Sequence, residues 1–133
     1  MDHVRRAPEA IALSFVDRIN RGDVDGLAAL MTEDHQLRVF DEPPQAGRAV
    51  VTEGWRGYAR AFPRYRIHPH RLAVRGDRVA VLGHTTGSHL ALPDAEESEL
   101  TLIWIARIAG DLVASWTLVE DTPHHRRAFD LDS

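Results

Sequence analysis

The stretch LTLIWIARIAGDLVASWTLVE, residues 100–120, indicates the fold class of this chain of 133 residues. It holds two long apolar runs, residues 100–108 and residues 112–120, separated by Ala109-Gly110-Asp111. Gly and Asp are typical turn residues, and a short connection of this kind joins antiparallel neighbours. The stretch therefore predicts two long strands paired as a hairpin.

Two further predicted strands precede this hairpin. Residues 78–86 form an apolar run that follows a Gly76-Asp77 turn, and a polar loop over residues 93–98 connects it to the hairpin. Residues 64–75 alternate loosely and contain Pro69, which restricts them to an edge strand or a bend. The second half of the chain is therefore predicted to be an antiparallel meander.

Three helices are predicted before the meander. The first begins at Pro8, which suits the first helical position, and ends at residues 20–22. A short strand over residues 36–41 separates the second helix from the third, which begins after Gly47 and ends at Pro63. The second helix carries an apolar side made of Val24, Leu27, Ala28 and Met31. Helices grouped before strands predict an α+β fold with the helices on one face of the sheet.

Composition limits the classes of function. The length allows one domain, residues 1–133, and 44% hydrophobic with 27% charged residues is ordinary for a globular protein. The net charge of −4 and the lack of a long Lys or Arg run disfavour nucleic acid and anionic membranes as partners. Because the chain has no cysteine, disulfides, thiolate catalysis and Cys-ligated metals are excluded.

The sequence predicts neither a signal peptide nor a membrane span. The start, MDHVRR, is polar and leads directly into a helix, so no signal peptide is predicted. No apolar stretch approaches the roughly 20 residues of a membrane span. We therefore expect a cytoplasmic protein, with residues 1–7 and 122–133 as flexible tails.

Several local strings, in this order and spacing, resemble the SnoaL-like group of the nuclear transport factor 2-like superfamily. That superfamily also contains ketosteroid isomerase-type and limonene epoxide hydrolase-type proteins. The matching strings are FVDRINRGDVDGL (15–27), LMTEDH (30–35), EGWRGY (53–58), FP (62–63), GDRVAV (76–81) and SW (115–116). The resemblance extends from about residue 8 to residue 120.

This resemblance implies a cone, in which three helices and a strongly curved mixed or antiparallel sheet enclose a mostly apolar pocket. It also implies a homodimer formed through the outer face of the sheet. Family members that are enzymes transfer protons without a cofactor, using a carboxylate or imidazole partly withdrawn from water. The implied partner is a small apolar molecule.

The resemblance also suggests catalytic residues. Ketosteroid isomerase-type members have an Asp near the end of the first strand, and Asp41 stands two residues beyond that place. Asp41 is therefore the candidate general base, and His84, inside a predicted strand, is the candidate acid or hydrogen-bond partner. Each also has a simpler interpretation without a catalytic role. Asp41 suits a turn, and His84 suits a position in a dimer interface. Polyketide cyclases carry an acid–base Asp after the Trp of the last strand, but here that position is Thr117, which cannot serve as an acid or base near neutral pH.

The candidate substrate-binding residues are Trp55, Tyr58, Trp104, Trp116 and Thr117. The aromatic members could equally be plain core, because large apolar groups at helical or strand spacing usually are. The histidines do not predict a metal site, because neither His68 with His70 nor the pair at residues 124–125 has a recognised zinc spacing.

The function predicted from these residues is the binding of a small apolar molecule, with acid–base chemistry of the isomerase, cyclase or hydratase type. The alternative is a domain without catalytic activity that binds a ligand or only dimerises. Hydrolysis of an epoxide would need a water held by a carboxylate within a wider polar network, and these residues do not assemble one.

Overall fold

The computed structural model describes residues 6–132 as five helices and one six-stranded sheet. The helices are α1 (Pro8–Arg21), α2 (Val24–Ala29), α3 (Arg48–Ala61), α4 (Asp94–Glu97) and α5 (Pro123–Ala128). The strands are β1 (Met31–Val39), β2 (Gln45–Ala46), β3 (Arg66–Arg75), β4 (Arg78–Thr86), β5 (Leu102–Ala109) and β6 (Leu112–Glu120). No helix among these residues is long and apolar enough to cross a bilayer.

The sheet has the strand order β2-β1-β6-β5-β4-β3. Strands β3 to β6 pair antiparallel in sequence order, which confirms the predicted meander. Strand β1 returns to pair parallel with β6, so the sheet is mixed. The predicted α+β class is confirmed.

Register shifts interrupt the ladders at three places and let the sheet curve, because each bulge bends its strand. They lie between Met31 and Gln36, between Pro69 and Arg71, and between Arg107 and Ile108. Strand β3 is an edge strand with Pro69 at its bulge, where the missing N–H of proline removes no regular ladder bond. The prediction from that proline was an edge strand or a bend, and the structure has an edge strand with a bulge at this place.

The main core lies between α1 and the face of the sheet that we call the inner face. It includes Ile11, Phe15, Val16, Val79, Val81, Trp104, Val113 and Trp116, all buried. The end of α1 is attached to β3 by Asn20, whose side chain accepts from the Ile67 N–H at 2.7 Å and donates to the Ile67 carbonyl at 2.9 Å. These bonds hold the helix across the sheet.

The boundaries of α2 and β1 differ from the prediction. Helix α2 ends at Ala29, and Met31 already belongs to β1, where it is fully buried and pairs with Val113. The helical spacing of Met31 after Leu27 also suits a buried strand position, so apolar periodicity alone could not place this boundary. Strand β1 therefore covers Met31–Val39 rather than residues 36–41.

The C-terminal segment is not a free tail in the structure, which corrects the prediction for residues 122–132. Thr122 caps α5 by accepting the N–H of His125 at 3.0 Å. Leu131 is fully buried against the opposite, outer face of the sheet, in a cluster with Ala80, Leu82 and Ile103. The homodimer predicted through this outer face stays a prediction, and residues 1–5 of the other predicted tail lie outside the described residues.

Asp130 adds a polar attachment for the same segment. Its carboxylate pairs with Arg75 at 2.9 Å and with Arg78 at 3.1 Å. Two cations from adjacent strands on one carboxylate explain why the chain lies along the outer face after α5 ends.

His35 is a titratable group inside the main core. It is fully buried on β1, its ring lies 5.7 Å from that of Phe15, and its Nδ1 lies 2.6 Å from the Val113 carbonyl. Burial lowers the pKa of His35, although the Val113 carbonyl and the charge of Asp34 act in the opposite direction. The folded protein therefore favours a neutral imidazole with its proton on Nδ1.

We expect this histidine to make the protein less stable in mild acid. A folded-state pKa below the unfolded value contributes stability above about pH 6.5, and that contribution is lost as the pH falls. The fall in urea midpoint from about pH 7.5 to pH 5 should be smaller in His35→Asn, whose amide can still donate to Val113. His124→Asn, at an exposed position, is the control, and an equal fall in His35→Asn and the parent would contradict the prediction.

Candidate ligand-binding site

An apolar cavity of about 280 Å³, here the inner cavity, lies between α3 and the inner face of the sheet. Its lining consists of Leu37, Val39, Glu42, Gln45, Gly54, Trp55, Tyr58, Tyr65, His89, Trp104, Trp116 and Leu118. All three tryptophans of the chain are among them. The inner cavity is therefore mostly aromatic and aliphatic, with polar groups on part of its wall.

Strand register brings the sheet side of this wall together. Leu37 of β1 is the partner of Trp116 in β6, and Trp104 of β5 is the partner of Leu118 in β6. Side chains alternate between the two faces of a strand, so Trp116 and Leu118 share the inner face. Three strands thus present large apolar groups to one space.

Helix α3 supplies the opposite wall. Trp55 and Tyr58 are three residues apart and lie on one side of the helix. The indole Nε1 of Trp55 is buried, and no acceptor among the described residues bonds to it. A ligand carbonyl, ether or hydroxyl oxygen that reached this N–H would satisfy a donor that is otherwise costly to bury.

A tyrosine–histidine pair stands at the edge of the inner cavity. The Tyr58 hydroxyl lies 2.9 Å from Nδ1 of His89, and the backbone N–H of His89 donates to the same oxygen at 3.1 Å. The ring of Tyr65 packs edge-on against Tyr58 at 5.0 Å. Burial raises the pKa of both phenols, and the nearby charge of Glu97 acts in the same direction. Both tyrosines are therefore neutral hydrogen-bonding groups near neutral pH.

A second cavity of about 540 Å³, here the outer chamber, adjoins the first. The two share Tyr58, Tyr65, His89 and Leu118 as lining residues. The rest of the outer chamber is lined by Phe40, Thr85, Ser88, Leu90, Glu99, Leu100, Thr101, Leu102, Glu120 and Asp121. Its lining includes more acidic and hydroxyl side chains than that of the inner cavity, although most of its surface is also apolar.

Glu97 is a buried carboxylate beside the outer chamber. It lies at the end of α4 with 1% of its surface exposed, and the Thr85 hydroxyl donates to its Oε2. No donor among the described residues bonds to its buried Oε1. Burying an acid group costs free energy, so a carboxylate held in this way commonly marks a functional region.

Asp41, the predicted general base, lines neither cavity. Strand β1 ends at Val39, Phe40 adopts a left-handed backbone with φ of 50°, and Asp41 is exposed in the turn that follows. The prediction assumed that strand alternation continued to residue 41, but the strand ends two residues earlier. The carboxylate of this loop that lines the inner cavity belongs to Glu42.

His84 also lies away from both cavities. Ala80 and Leu82 of β4 face outward, and His84 continues that alternation on the outer face. Its Nδ1 lies 2.6 Å from Nε2 of His70, and its ring stacks on that of His68 at 4.5 Å. The simpler prediction for His84, an interface position, stays a prediction, and its place on the outer face does not support the catalytic one.

The side chains of His68, His70 and His84 lie together on the outer face of the sheet. Burial lowers the pKa of His84, and the neighbouring His68 and His70 lower it further. Within residues 6–132, no group of three or more His, Asp or Glu side chains is arranged to hold a metal ion.

The predicted substrate-binding residues divide between the two faces. Trp55, Tyr58, Trp104 and Trp116 all line the inner cavity. Thr117 lies between two inner-face residues of β6 and therefore points to the outer face. It lines neither cavity, so its predicted contact with a substrate is not supported by its position.

Several site residues were missed by the sequence analysis. Tyr65 follows Pro63 just before β3, His89 lies in the loop after β4, and Glu97 lies in a short acidic helix. None belongs to a periodic pattern or a known motif, since loops position side chains through tertiary contacts. Only the cluster of aromatic residues before β3 offered a signal, because Tyr65 continues the series that contains Tyr58.

The curved mixed sheet around an internal cavity defines an NTF2-like cone fold, shared with a protein from Cytophaga hutchinsonii at a TM-score of 0.69 and 9% identity over 96% of this chain and 97% of that one. The sequence profile of the SnoaL-like domain matches residues 12–116. The chain therefore belongs to the SnoaL-like family, as its sequence strings predicted. No curated protein is detectably similar to it in sequence.

Two other solved structures are similar to this one. An uncharacterized cystatin-fold protein from Novosphingobium aromaticivorans has a TM-score of 0.74 and 16% identity, over 86% of this chain and 99% of that one. SalBIII, an epoxide hydrolase/cyclase-like enzyme of pyran ring formation in salinomycin, has a TM-score of 0.69 and 17% identity, over 86% of this chain and 91% of that one. At these identities the likeness shows the fold alone.

Proposed function

We propose that this protein binds a small, largely apolar molecule in the inner cavity. The observation that carries the proposal is the lining itself, in which Trp55, Trp104 and Trp116 surround one space. The buried indole N–H of Trp55 has no acceptor among the described residues. Ligand pockets are typically apolar with a few placed polar groups, and this cavity has that composition. Trp104 and Trp116 belong both to the lining of the inner cavity and to the main core, so packed side chains hold the sheet side of the cavity in place.

The size of the inner cavity limits the ligand. At about 280 Å³ it lies just below the range of roughly 300–1,000 Å³ found for ligand pockets. A compact ring system fits this space better than an extended chain. We therefore use the saturated bicyclic alcohol 2-decalol as the probe, which does not absorb where tryptophan does.

Filling the inner cavity should weaken binding. Val39→Phe adds bulk to the cavity wall, and an overpacked site costs about 1–3 kcal/mol, which corresponds to roughly 5- to 150-fold in Kd. Isothermal titration with 2-decalol measures this change, after a thermal melt has shown that the variant folds. Val50→Phe, on α3 with 58% of the residue exposed, is the matched control, and equal affinity of both variants and the parent would contradict the proposed site.

A second candidate function is acid–base catalysis on the bound molecule. The carboxylate of Glu42 and the Tyr58–His89 pair line the same cavity, so a proton acceptor and a hydrogen-bonded phenol border one ligand space. These groups replace Asp41 and His84 as the candidates for proton transfer. Native mass spectrometry of the purified protein would identify a retained ligand, and conversion of that ligand on incubation would distinguish catalysis from binding alone.

A further inference from the structure

The hydroxyl of Thr85 can only accept hydrogen bonds from the outer chamber. A threonine hydroxyl has a single proton and two acceptor lone pairs. Thr85 donates that proton to Oε2 of Glu97, which as a carboxylate can only accept. Thr85 is also one of the residues that line the outer chamber, so any hydrogen bond that its oxygen forms there must be one that it accepts.

Thr101 repeats the arrangement on the other side of the outer chamber. Its hydroxyl donates to Oδ2 of Asp121 at 2.5 Å. Arg126 donates to both oxygens of that carboxylate, at 2.6 Å and 2.8 Å. The bonds from Arg126 and Thr101 lower the pKa of Asp121, although partial burial opposes them. The carboxylate therefore stays ionised, and Thr101 is also an acceptor towards the chamber.

The remaining polar lining strengthens this bias. Glu99 and Glu120 also line the outer chamber, and ionised carboxylates only accept. None of the described residues that line it is Lys or Arg. Side-chain donors among the described lining residues are confined to Ser88 and to the tyrosines and histidine at the boundary with the inner cavity. The polar side chains in the outer part of the chamber are therefore mostly hydrogen-bond acceptors.

The burial of Glu97 further supports the bias of the outer chamber towards hydrogen-bond acceptors. Its Oε1 is buried with no donor among the described residues, in a residue with 1% of its surface exposed. An unpartnered buried oxygen is destabilising, and a glutamine or an apolar residue would fill the same volume without a charge. A carboxylate at this place keeps the proton of Thr85 turned away from the chamber.

We propose that the ligand carries a hydrogen-bond donor, a hydroxyl or a protonated amine, on the end that occupies the outer chamber. This inference rests on the proposed function, in which the apolar body of the ligand occupies the inner cavity. It assigns to the site a compact amphipathic alcohol or amine as its substrate class. Carboxylates and phosphates on the same body would face acceptors and negative charge, and they should bind weakly.

The test compares four probes that share one apolar body. They are 2-decalol, 2-aminodecalin, 2-methoxydecalin and decalin-2-carboxylate, each titrated calorimetrically into the full chain. We expect the alcohol or the amine to bind roughly five- to tenfold more tightly than the methyl ether, because the ether cannot donate. The carboxylate should bind most weakly, and the comparison of amine with alcohol identifies which donor the chamber accepts.

Glu97→Gln tests the origin of the preference. The amide of Gln can donate to the Thr85 oxygen, which frees the threonine proton to face the chamber. The ratio of alcohol to ether affinity should then fall towards one, whereas Glu96→Gln, on the exposed side of the same helix, should leave it unchanged. If Glu97→Gln does not fold, Thr85→Val removes the acceptor while keeping its shape and should narrow the same ratio.

The outcomes separate this inference from the proposed function. A donor preference in the parent that narrows in Glu97→Gln or Thr85→Val supports the inference. Equal binding of alcohol, amine and ether to the parent would overturn it and leave the proposed function standing. A preference that survives both variants would also overturn it, and failure of all four probes to bind would contradict the inference and the proposed function together.

Discussion

Replacing Phe15 by alanine is expected to lower the free energy of unfolding by about 3–5 kcal/mol, the range for a buried Phe truncated to Ala. Phe15 is fully buried on α1, and its ring lies 4.9 Å from that of Trp116 and 5.7 Å from that of His35. The change removes the largest apolar contact between α1 and the sheet and leaves a cavity in the main core. Because a whole domain is stable by about 5–15 kcal/mol, this loss is a large share of the total.

Urea denaturation followed by far-UV circular dichroism measures the change. Leu13→Ala is the matched control, because Leu13 lies on the same helix with 41% of the residue exposed. It should cost far less, since the leucine is already partly in contact with water and truncating it leaves no cavity in the main core. Similar losses for the two variants would mean that α1 does not pack on the sheet through Phe15.

Replacing Gly87 by alanine is expected to combine two costs. Gly87 has a left-handed backbone with φ of 67°, and a Cβ there would lie 2.4 Å from the backbone oxygen of Arg64. The left-handed conformation costs a residue with a Cβ about 1–2 kcal/mol, and forcing atoms into a filled space costs about 1–3 kcal/mol more. The affected loop carries His89, so the change should also disturb the pair that His89 forms with Tyr58.

Gly110→Ala separates the two costs. Gly110 has nearly the same φ, 65°, but a Cβ at that position would meet no atom within 4 Å. It should therefore lose only the backbone contribution, and Gly87→Ala should be the less stable of the two by the cost of the clash. Equal urea midpoints for the two variants would show that the loop after β4 does not approach Arg64 as described.

The meander and the three N-terminal helices could be predicted because their signals are local. Apolar periodicity, Pro8 at a helix start and Gly76 or Gly110 in a turn each depend on a few neighbouring residues. The parallel pairing of β1 with β6 could not be predicted in this way, because it joins segments about 80 residues apart. The cone was predicted only from the resemblance of local strings to the SnoaL-like family, and not from the residue pattern itself.

The candidate site was only partly predictable for a related reason. The aromatic wall was found because Trp55 and Tyr58 recur on one helix face and Trp104 and Trp116 lie within long strands. Asp41 lies outside both cavities because β1 ends before it, and His84 and Thr117 do so because they lie on the outer face of the sheet. A bulge or an early strand end changes which side a residue points to, and neither leaves a clear mark in the sequence.

The hydrogen-bonding character of the outer chamber could not be predicted from the sequence. Thr85 and Glu97 are twelve residues apart, and Thr101 and Asp121 are twenty apart. Their pairing depends on how α4 folds against β4 and how the chain leaves β6. Whether a hydroxyl donates or accepts towards a cavity depends on the hydrogen bond that it makes with its partner. It can therefore be decided only when the positions of both residues are known.

The central claim, that the inner cavity is the ligand site, is tested most directly by the indole region of a ¹H–¹⁵N NMR spectrum during titration with 2-decalol. The chain has three tryptophans, and all three line this cavity, so every indole N–H signal reports on it. We predict that all three indole signals shift together and saturate, with the largest change at Trp55, whose N–H lacks an acceptor among the described residues. Binding that leaves the indole signals in place and shifts the amides of His68 and His84 instead would locate the ligand on the outer face and contradict the account.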